Sequence, residues 1–506
     1  MEQVIKRALI SVYYKEGLED IVRELHRLNV EIVSTGGTKT FIEGLGIPCI
    51  SVESLTNYPS MLGGRVKTLH PVVFGGILAR RDKSSDIDQA QLYKIPLFDL
   101  VVVDLYPFEE TLRSGATREE IIEKIDIGGI SLIRAAAKNY QDVLIVSHRG
   151  QYEDLLQILK EKNGATSLQD RKRFAGEAFA VSSGYDTAIF GYFNSENEHE
   201  ELRIAYSAPQ VLRYGENPHQ QGFFFGDFDR YFNKLQGKEL SYNNLLDLSA
   251  ATSLVNEFKE TAFAVIKHTN PCGLAVRETV SEACRQAIDC DPESAFGGIL
   301  AANRPIDRDT ALIVKDIFFE VLVAPDFDME ALSILSAKGK RILLVQKEQP
   351  KPARTFRSVG FGVLVQDEDA LTDAVADMRA VTRKAPTPEE LQDLRFASIV
   401  SKHCKSNAVA LVKDSCLCAS GIGQTSRVSS LKQAVEKAQR FGFDLHGAVL
   451  ASDAFFPFDD CVRIAAEAGV TAIIQPGGSI RDEESIKACD ELGVSMVFTG
   501  HRHFRH

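Results

Sequence analysis

The stretch VIKHTNPCG, residues 265–273, sets a cation beside an imidazole. The apolar run Phe263 to Ile266 reads as a strand. It ends in Lys267 and His268, and Asn270-Pro271-Cys272-Gly273 follows as a turn that cannot continue the strand. An ammonium group supplies fixed positive charge and an imidazole moves protons. Proteins of the α/β class place such groups where strands end. A solvated lysine beside a capping histidine is the plain structural alternative.

Other stretches carry anion or proton chemistry. STGGT, Ser34 to Thr38, follows a strand and precedes a helix. Its glycines let backbone N–H groups approach an anion and its hydroxyls add donors; an ordinary Gly-rich turn has the same look. MLGGRVKTLHP, 61–71, crowds Arg65, Lys67 and His70 beside Gly63-Gly64, which suits a phosphate or a solvated basic loop. VVVDLYPF, 101–108, delivers Asp104 and Tyr106 at the carboxyl end of a buried strand that Pro107 stops. In DIGGISLIRAAAKN, 126–139, Asp126, Ile127, Gly128 and Gly129 open a helix whose N–H groups face a possible anion or carbonyl. Lys138 lies near that helix's far end, where its default part is as a partner of the helix dipole.

RYGENPHQ, 213–220, offers the Arg213 fork beside the Tyr214 ring. Lys267 and His268 are grouped with Asn407, in KHCKSNAVAL, and Arg427, in GQTSRV. SDAFFPF (452–458) and PGGS (476–479) are loops able to sandwich a flat ring. His403-Cys404 and Cys416-x-Cys418 invite a zinc reading, but no second ligand pair has the usual spacing. Cys416 and Cys418 share one face of a strand and read as core residues.

The elements that position these residues follow from pattern. Residues 7–147 alternate β-rich runs (8–12, 30–34, 72–79, 100–105 and 143–146) with helical stretches such as the one carrying Ile21, Val22, Leu25 and Leu28. That alternation implies a parallel sheet covered by helices. Residues 151–182 read as two helices, and the acidic stretch FNSENEHEEL, 193–202, as a boundary between two large parts. The second part shows a strand to Ile266, a helix at about 279–289 and the strand segment 294–301. A hairpin over 407–423 turns at Asp414-Ser415; a helix at about 429–440 and the segment 447–458 follow. The two blocks are loosely parallel, as a duplicated domain would be.

The 506 residues suggest about three domains, and 44% apolar with 25% charged residues is ordinary for a globular protein. A net charge of −12 argues against sequence-independent nucleic-acid binding, which needs a basic face. Nine scattered cysteines without a CxxC fit a reduced, cytoplasmic protein. Neither a signal peptide's apolar core nor a run of about 18 apolar residues occurs, so no membrane span is expected.

Taken in order from Ser11 to His506, STGGT, MLGGRVKTLHP, LYPF, DIGG…RAAAKN, RYGENPHQ, LSYNNLLD (240–247), KHTNPCG, SAFGG, KSNAVAL, SDAFFPF and the closing RHFRH make a specific set. The chain resembles the bifunctional purine-biosynthesis enzymes that join aminoimidazole-carboxamide ribonucleotide (AICAR) transformylase to inosine monophosphate (IMP) cyclohydrolase. The resemblance implies an α/β chain: a methylglyoxal-synthase-like parallel-sheet domain over 1–195, then two duplicated cytidine-deaminase-like domains over 196–506. It implies a homodimer with transformylase sites across the subunit interface. AICAR, formyl-AICAR and IMP are the expected ligands, 10-formyltetrahydrofolate the formyl donor, and no metal is required for the chemistry. The deaminase zinc signature is absent: Pro271-Cys272 runs on into Gly273-Leu274-Ala275, so a zinc deaminase is rejected.

Residue by residue, the resemblance makes His268 the base that deprotonates the attacking amine and Lys267 its electrostatic partner, with Asn407 catalytic beside them. A neutral His268 is required, and the neighbouring ammonium is expected to favour it. The nucleotide is expected on Arg213, Tyr214, Gly297, Glu320 and Asn407, with Arg427 at its phosphate. The folate is expected on Val428, Phe455, Pro457, Asp460, Ser479, Ile480 and Arg502. Ring closure falls to Lys67, Lys138, Tyr106 and Asp126, with Ile127 alongside and the phosphate on Thr35, Gly36, Gly37 and Thr38, near Lys15 and Arg65.

Two departures sit in the cyclohydrolase half. The family usually reads NLYPF where Asp104 stands here, and an ionised Asp there is expected to repel an anionic nucleotide unless a lysine neutralises it. The family also favours SVSDKTGL where this chain has SVYYKEGL, 11–18, putting Tyr13 and Tyr14 in a loop expected to touch the nucleotide. A transformylase with an impaired cyclohydrolase is therefore the alternative, and a scaffold that has lost its chemistry is disfavoured by the retention of Lys267, His268, Asn407 and Lys138.

Overall fold

The computed structural model describes residues 2–62, 65–195, 201–351 and 354–506. Gly63-Gly64 of the cation-rich loop and residues 196–200 of the acidic stretch lie outside the described residues. The chain divides into two compact units, Met1–Ala208 and Pro209–His506. The boundary drawn from composition, at 195/196, precedes that division.

In the first unit, strands β1 (Arg7–Ser11), β2 (Glu31–Ser34), β3 (Ile50–Ser51), β4 (Leu100–Val103) and β5 (Leu144–Val146) form one parallel sheet in the order β3-β2-β1-β4-β5. Ala8 to Ile10 and Leu100 to Val103 are buried, as unbroken apolar runs in a sheet covered on both faces must be. Helix α1 (Leu18–Arg27) lays Ile21, Val22 and Leu25 on the core. Helix α2 (Gly36–Gly44) starts where β2 ends.

Residues 72–79, expected as a strand, belong instead to helix α3 (Pro71–Leu78). Pro71 occupies its first turn, and the His70 ring nitrogen accepts the Val72 N–H at 3.2 Å as an N-cap. An apolar run this short carries no period that separates strand from helix. Gly76 allows the close packing: a Cβ there would meet the Pro96 carbonyl oxygen at 2.1 Å. Helix α4 (Gly128–Lys138) covers the sheet, followed by Tyr152–Glu161 and the long α5 (Leu168–Asn194), which runs past the expected end at 182.

The second unit holds a twelve-stranded sheet. Helix α6 (Tyr242–Val255) precedes strands β6 (Ala262–Lys267) and β7 (Asn270–Val276). Helix α7 (Val280–Asp289) leads to the parallel strands β8 (Ile299–Ala302), β9 (Val321–Ala324) and β10 (Ile342–Gln346). Helix α8 (Pro388–Lys402) then precedes β11 (Val409–Lys413) and β12 (Cys416–Gly421). Helix α9 (Arg427–Arg440) leads to the parallel strands β13 (Val449–Ser452), β14 (Ala472–Gln475) and β15 (Ser495–Phe498). The spatial order β10-β9-β8-β6-β7-β12-β11-β13-β14-β15 is two copies of one arrangement joined by the antiparallel β7–β12 contact.

The copies share detail. A single offset carries the N-cap Ser241 to Thr387, its capping-box partner Asn244 to Glu390, Asp247 to Asp393, Lys267 to Lys413, and the turn 268–269 to 414–415. The hairpin turn lies at Asp414-Ser415, as read from sequence, with φ of 52° and 51°. The first copy differs from its reading. Asn270-Pro271-Cys272-Gly273 is not a turn but the start of β7; the turn is His268-Thr269, with φ of 52° and 63°. Pro271 is tolerated because it sits at a bulge, where the register with β6 slips. Gly273 admits α7: a Cβ there would lie 1.8 Å from the Ala287 carbonyl oxygen.

Because β7 and β12 are antiparallel, the parallel strands of the two copies run in opposite directions. The amino edge of β8–β10 and the carboxyl edge of β13–β15 therefore share one side of the sheet. The turn 268–269 is on that side and the turn 414–415 on the other.

Candidate active sites

In the first unit the expected residues gather on loops at the carboxyl edge of the parallel sheet. Thr35 is the N-cap of α2, and Gly36 takes a φ of 53°. A Cβ on Gly36 would lie 3.2 Å from Lys67 Nζ, so the half-buried lysine stands over the start of α2. Thr38 Oγ1 accepts the Val12 N–H at 3.1 Å, tying this turn to the end of β1. A Cβ on Gly128 would lie 3.2 Å from Thr68 Oγ1, which brings the start of α4 to the same place. Asp126 Oδ1 accepts the Gly129 N–H at 2.5 Å, and the Tyr185 hydroxyl accepts the Asp126 N–H at 2.8 Å. Burial pushes the Asp126 carboxyl up, against the pull of the Gly129, Ile130 and Tyr106 N–H groups. Burial and then Asp126 push the Tyr106 phenol up as well. Tyr106 thus stays protonated at neutral pH.

Asp104 is engaged by the loop that follows β1. Its carboxylate accepts the backbone N–H groups of Tyr13 and, at 3.0 Å, of Tyr14. Burial pushes its pKa up, while those two bonds and Lys15 pull it down. Lys15 is the cation that acts on this carboxylate. Tyr13 packs edge-on against Tyr106 with ring centres 5.7 Å apart, and Lys124 Nζ lies 5.2 Å from the Tyr13 ring centre. Lys15 folds onto the carbonyls of Val12 and Tyr13, and Arg65 pairs with Glu123. Ile127 is exposed at the start of α4. Lys138 is not brought to these loops. It is exposed at the other end of α4, ~15 Å away by helix rise.

In the second unit a cleft of about 310 Å³ is lined by Arg213, Tyr214, Lys267, His268, Gly297 and Glu320, all expected, and by Lys238, Asn243 and Asp247, which were not. His268 is exposed on the β6–β7 turn. Lys267 Nζ donates to the Phe296 carbonyl, next to Gly297, whose φ of 74° suits glycine. Glu320 is paired with Lys238 at 2.5 Å. Asn270 Nδ2 donates to the His268 carbonyl at 2.8 Å, and its Oδ1 accepts the Lys405 N–H at 3.0 Å. This one amide links the reactive turn to the segment entering Asn407. Lys238 and Asn270 carried no signal of their own; Asp247 lay in LSYNNLLD unremarked.

A second cluster occupies the same sheet edge, beyond that cleft. Asn407 Oδ1 accepts from Arg427 Nη2 at 3.0 Å, and its Nδ2 donates to the Gln424 carbonyl at 3.0 Å. Arg427 was expected at a phosphate. Its guanidinium is buried, donating to Asp453 and, at 2.8 Å, to Ser452 Oγ. Nε–H and one Nη2–H remain for a ligand. Val428 follows it on α9. Phe455, Pro457, Ser479, Ile480 and Arg502 stand on the loops after β13, β14 and β15, with Phe455, Ile480 and Arg502 exposed, and Asp460 opens the helix Asp460–Glu467. Among the described residues no group of three or more His, Cys, Asp or Glu is placed to hold a metal. Cys416 and Cys418 are buried, as their reading as core residues required.

The family model for the AICARFT/IMPCHase bienzyme matches residues 136–437, and that for the MGS-like domain matches 17–131. The bifunctional purine biosynthesis protein PurH of Bacteroides thetaiotaomicron is 58% identical over 99% of both chains. The proteins of that name from Chlorobium phaeobacteroides and Chloroflexus aurantiacus are 46% and 47% identical, over 100% of this chain and 100% and 99% of theirs. An MGS-like domain of mixed α/β structure thus precedes the bienzyme region, and the chain belongs to the AICARFT/IMPCHase bienzyme family.

Proposed function

We propose that this chain transfers a formyl group from 10-formyltetrahydrofolate to the 5-amine of AICAR and then closes formyl-AICAR to IMP. The observation that carries the reading is the convergence of Lys267, His268, Arg213, Tyr214, Gly297 and Glu320 on one cleft. The AICAR amine is a poor nucleophile, since its lone pair is delocalised into the ring and carboxamide. His268 takes the amine proton as nitrogen attacks the formyl carbon. Lys267 stabilises the oxyanion that forms there. On collapse the proton held by His268 passes to the departing folate nitrogen, giving tetrahydrofolate and formyl-AICAR.

Asn407, held by Arg427, belongs to the same transfer, and the exposed Phe455, Pro457 and Ile480 with Val428, Asp460, Ser479 and Arg502 form the folate surface. The chain works as a homodimer in which a second copy's cluster completes each cleft. In support, the isolated hairpin Arg354–Asp367 exposes Phe356, Phe361, Val363, Leu364 and Val365. A two-stranded hairpin of that kind is marginal in water on its own. The duplicated copies are of the cytidine-deaminase-like type without zinc. Nine free cysteines suit the reducing cytoplasm.

Ring closure needs less. Both partners are in one molecule, so the enzyme selects the folded rotamer and handles charge. The carboxamide nitrogen attacks the formyl carbon and water leaves. Lys67 with Thr35, Gly36, Gly37 and Thr38 binds the phosphate end, and the protonated Tyr106 beside Asp126 donates to the departing oxygen. Lys138, expected to be catalytic, stands outside that cluster at the far end of α4. Incubation with AICAR and 10-formyltetrahydrofolate gives IMP; with formyl-AICAR alone it also gives IMP. No formyl-AICAR or IMP in the first reaction sinks the transfer reading, and none in the second sinks the ring closure.

A further inference from the structure

We propose that Asp247 is a positioning residue for formyl transfer, its carboxylate fixing the left-handed turn that presents His268 to the cleft. The inference rests on the transfer reading for the reaction it affects. Both turn residues carry side chains at positive φ, 52° at His268 and 63° at Thr269. A two-residue turn of this kind is ordinarily built from Asn and Gly, and a β-branched Thr at positive φ is an outlier. Each such residue costs about 1–2 kcal/mol. The turn therefore needs an external hold.

Asp247 supplies it. Its Oδ1 accepts the Thr269 N–H at 2.6 Å, a short bond to a charged acceptor. It rides on α6, whose start is fixed by the Ser241–Asn244 capping box and whose Leu248, Ala251, Leu254 and Val255 are buried. On the turn's other side Asn270 Nδ2 holds the His268 carbonyl. Asp247 itself lines the cleft beside His268 and Lys267.

The duplicated copy contains the same device without the chemistry. Asp393, at the matching position of α8, accepts the N–H groups of Asp414 at 2.8 Å and Ser415 at 2.6 Å. That turn carries no imidazole and lies on the opposite edge of the sheet. Asp393 is thus an internal control for the purely structural part of the interaction.

The test compares Asp247→Ala, Asp247→Asn and Asp393→Ala in the full chain. The expected result is a kcat for formyl transfer lowered about 10–100-fold in Asp247→Ala, the scale of a misplaced reacting group, with KM for AICAR within about threefold. Asp247→Asn keeps an acceptor oxygen without its charge, so its kcat falls about 3–10-fold, between the parent and Asp247→Ala. Asp393→Ala lowers the melting temperature but not kcat. NMR of isotope-labelled histidine reads the position without turnover: the His268 resonances move in Asp247→Ala and Asp247→Asn and stay in Asp393→Ala. Should Asp247→Ala not fold, Asp247→Asn alone must show a lowered kcat and moved His268 resonances. Wild-type kcat in a folded Asp247 variant, or equal kcat losses in Asp247→Ala and Asp393→Ala, overturns the proposal. Parent protein without transfer activity refutes the transfer reading instead, and the resonances still decide whether Asp247 places His268.

Discussion

Arg427 separates two accounts of one residue by what its removal breaks. As a simple phosphate ligand, its loss would raise KM for AICAR and leave the fold alone. Its burial argues otherwise: the Arg427 and Asp453 side chains are 6% and 0% exposed. The guanidinium also holds Asn407 and Ser452. Removing one partner of such a pair leaves the other charged, buried and unpaired, which costs about 3–5 kcal/mol. For a unit of this size, with about 2 °C per kcal/mol, the melting temperature of Arg427→Ala falls by about 6–10 °C. Replacing both partners with apolar residues removes the stranded charge but frees the Ala408 N–H that Asp453 accepts, so Arg427→Met combined with Asp453→Leu recovers part of that loss. Formyl transfer is lost in both, because Asn407 loses its partner, while IMP formation from supplied formyl-AICAR survives below the lowered melting temperature. Urea unfolding with both activity assays measures this. A melting temperature within 1 °C of the parent in Arg427→Ala, with only KM raised, refutes the reasoning.

Glu257 gives a pH signature. Burial alone would raise its carboxyl, but His403 and Lys402 pull it from 4.5 to about 2. A lowered carboxyl pKa stabilises above the unfolded value, so this contribution is full above pH 4.5 and is lost as pH falls toward 2. Burial pushes the His403 imidazole down, so Lys402 is the partner that stays charged throughout, and Glu257→Gln should flatten the acid limb of stability against pH. Tyr106→Phe keeps the ring that meets Tyr13 and removes the proton donor; IMP formation should fall ~10²-fold with formyl transfer unchanged, as paired assays on one preparation will show. Gly273→Ala forces a Cβ to within 1.8 Å of the Ala287 carbonyl oxygen, so α7 must shift and stability should drop by at least 1–3 kcal/mol in denaturant titration.

How far the sequence carried the fold depends on the kind of signal. The Asp414-Ser415 turn was legible because polar residues interrupt two β-rich runs at hairpin spacing. The equivalent turn was misplaced because Asn270-Pro271 looks like a stronger turn than His268-Thr269. Proline's lack of an N–H matters only where a ladder bond is needed, and a bulge removes that need. Residues 72–79 carry no period that separates strand from helix, and the signals that mark α3, Pro71 behind a capping His70, lie just outside the run. Residue types revealed the cleft, since Lys267, His268, Arg213 and Glu320 are chemically conspicuous. They did not reveal engagement. Asp104 is bonded to the Tyr13–Tyr14 loop and Arg427 to Asp453, partners that residue type alone does not announce. Asp247 went unnoticed because a carboxylate on a polar helix face looks solvated until the turn above it is known.

Formyl transfer by the folded His268→Ala protein, measured with AICAR and 10-formyltetrahydrofolate at saturation, tests the central claim most directly. Loss of the base should lower kcat at least 10²-fold while nucleotide binding and ring closure of supplied formyl-AICAR persist. Turnover equal to that of the parent would contradict the claim and remove the reason for placing the chemistry at the β6–β7 turn.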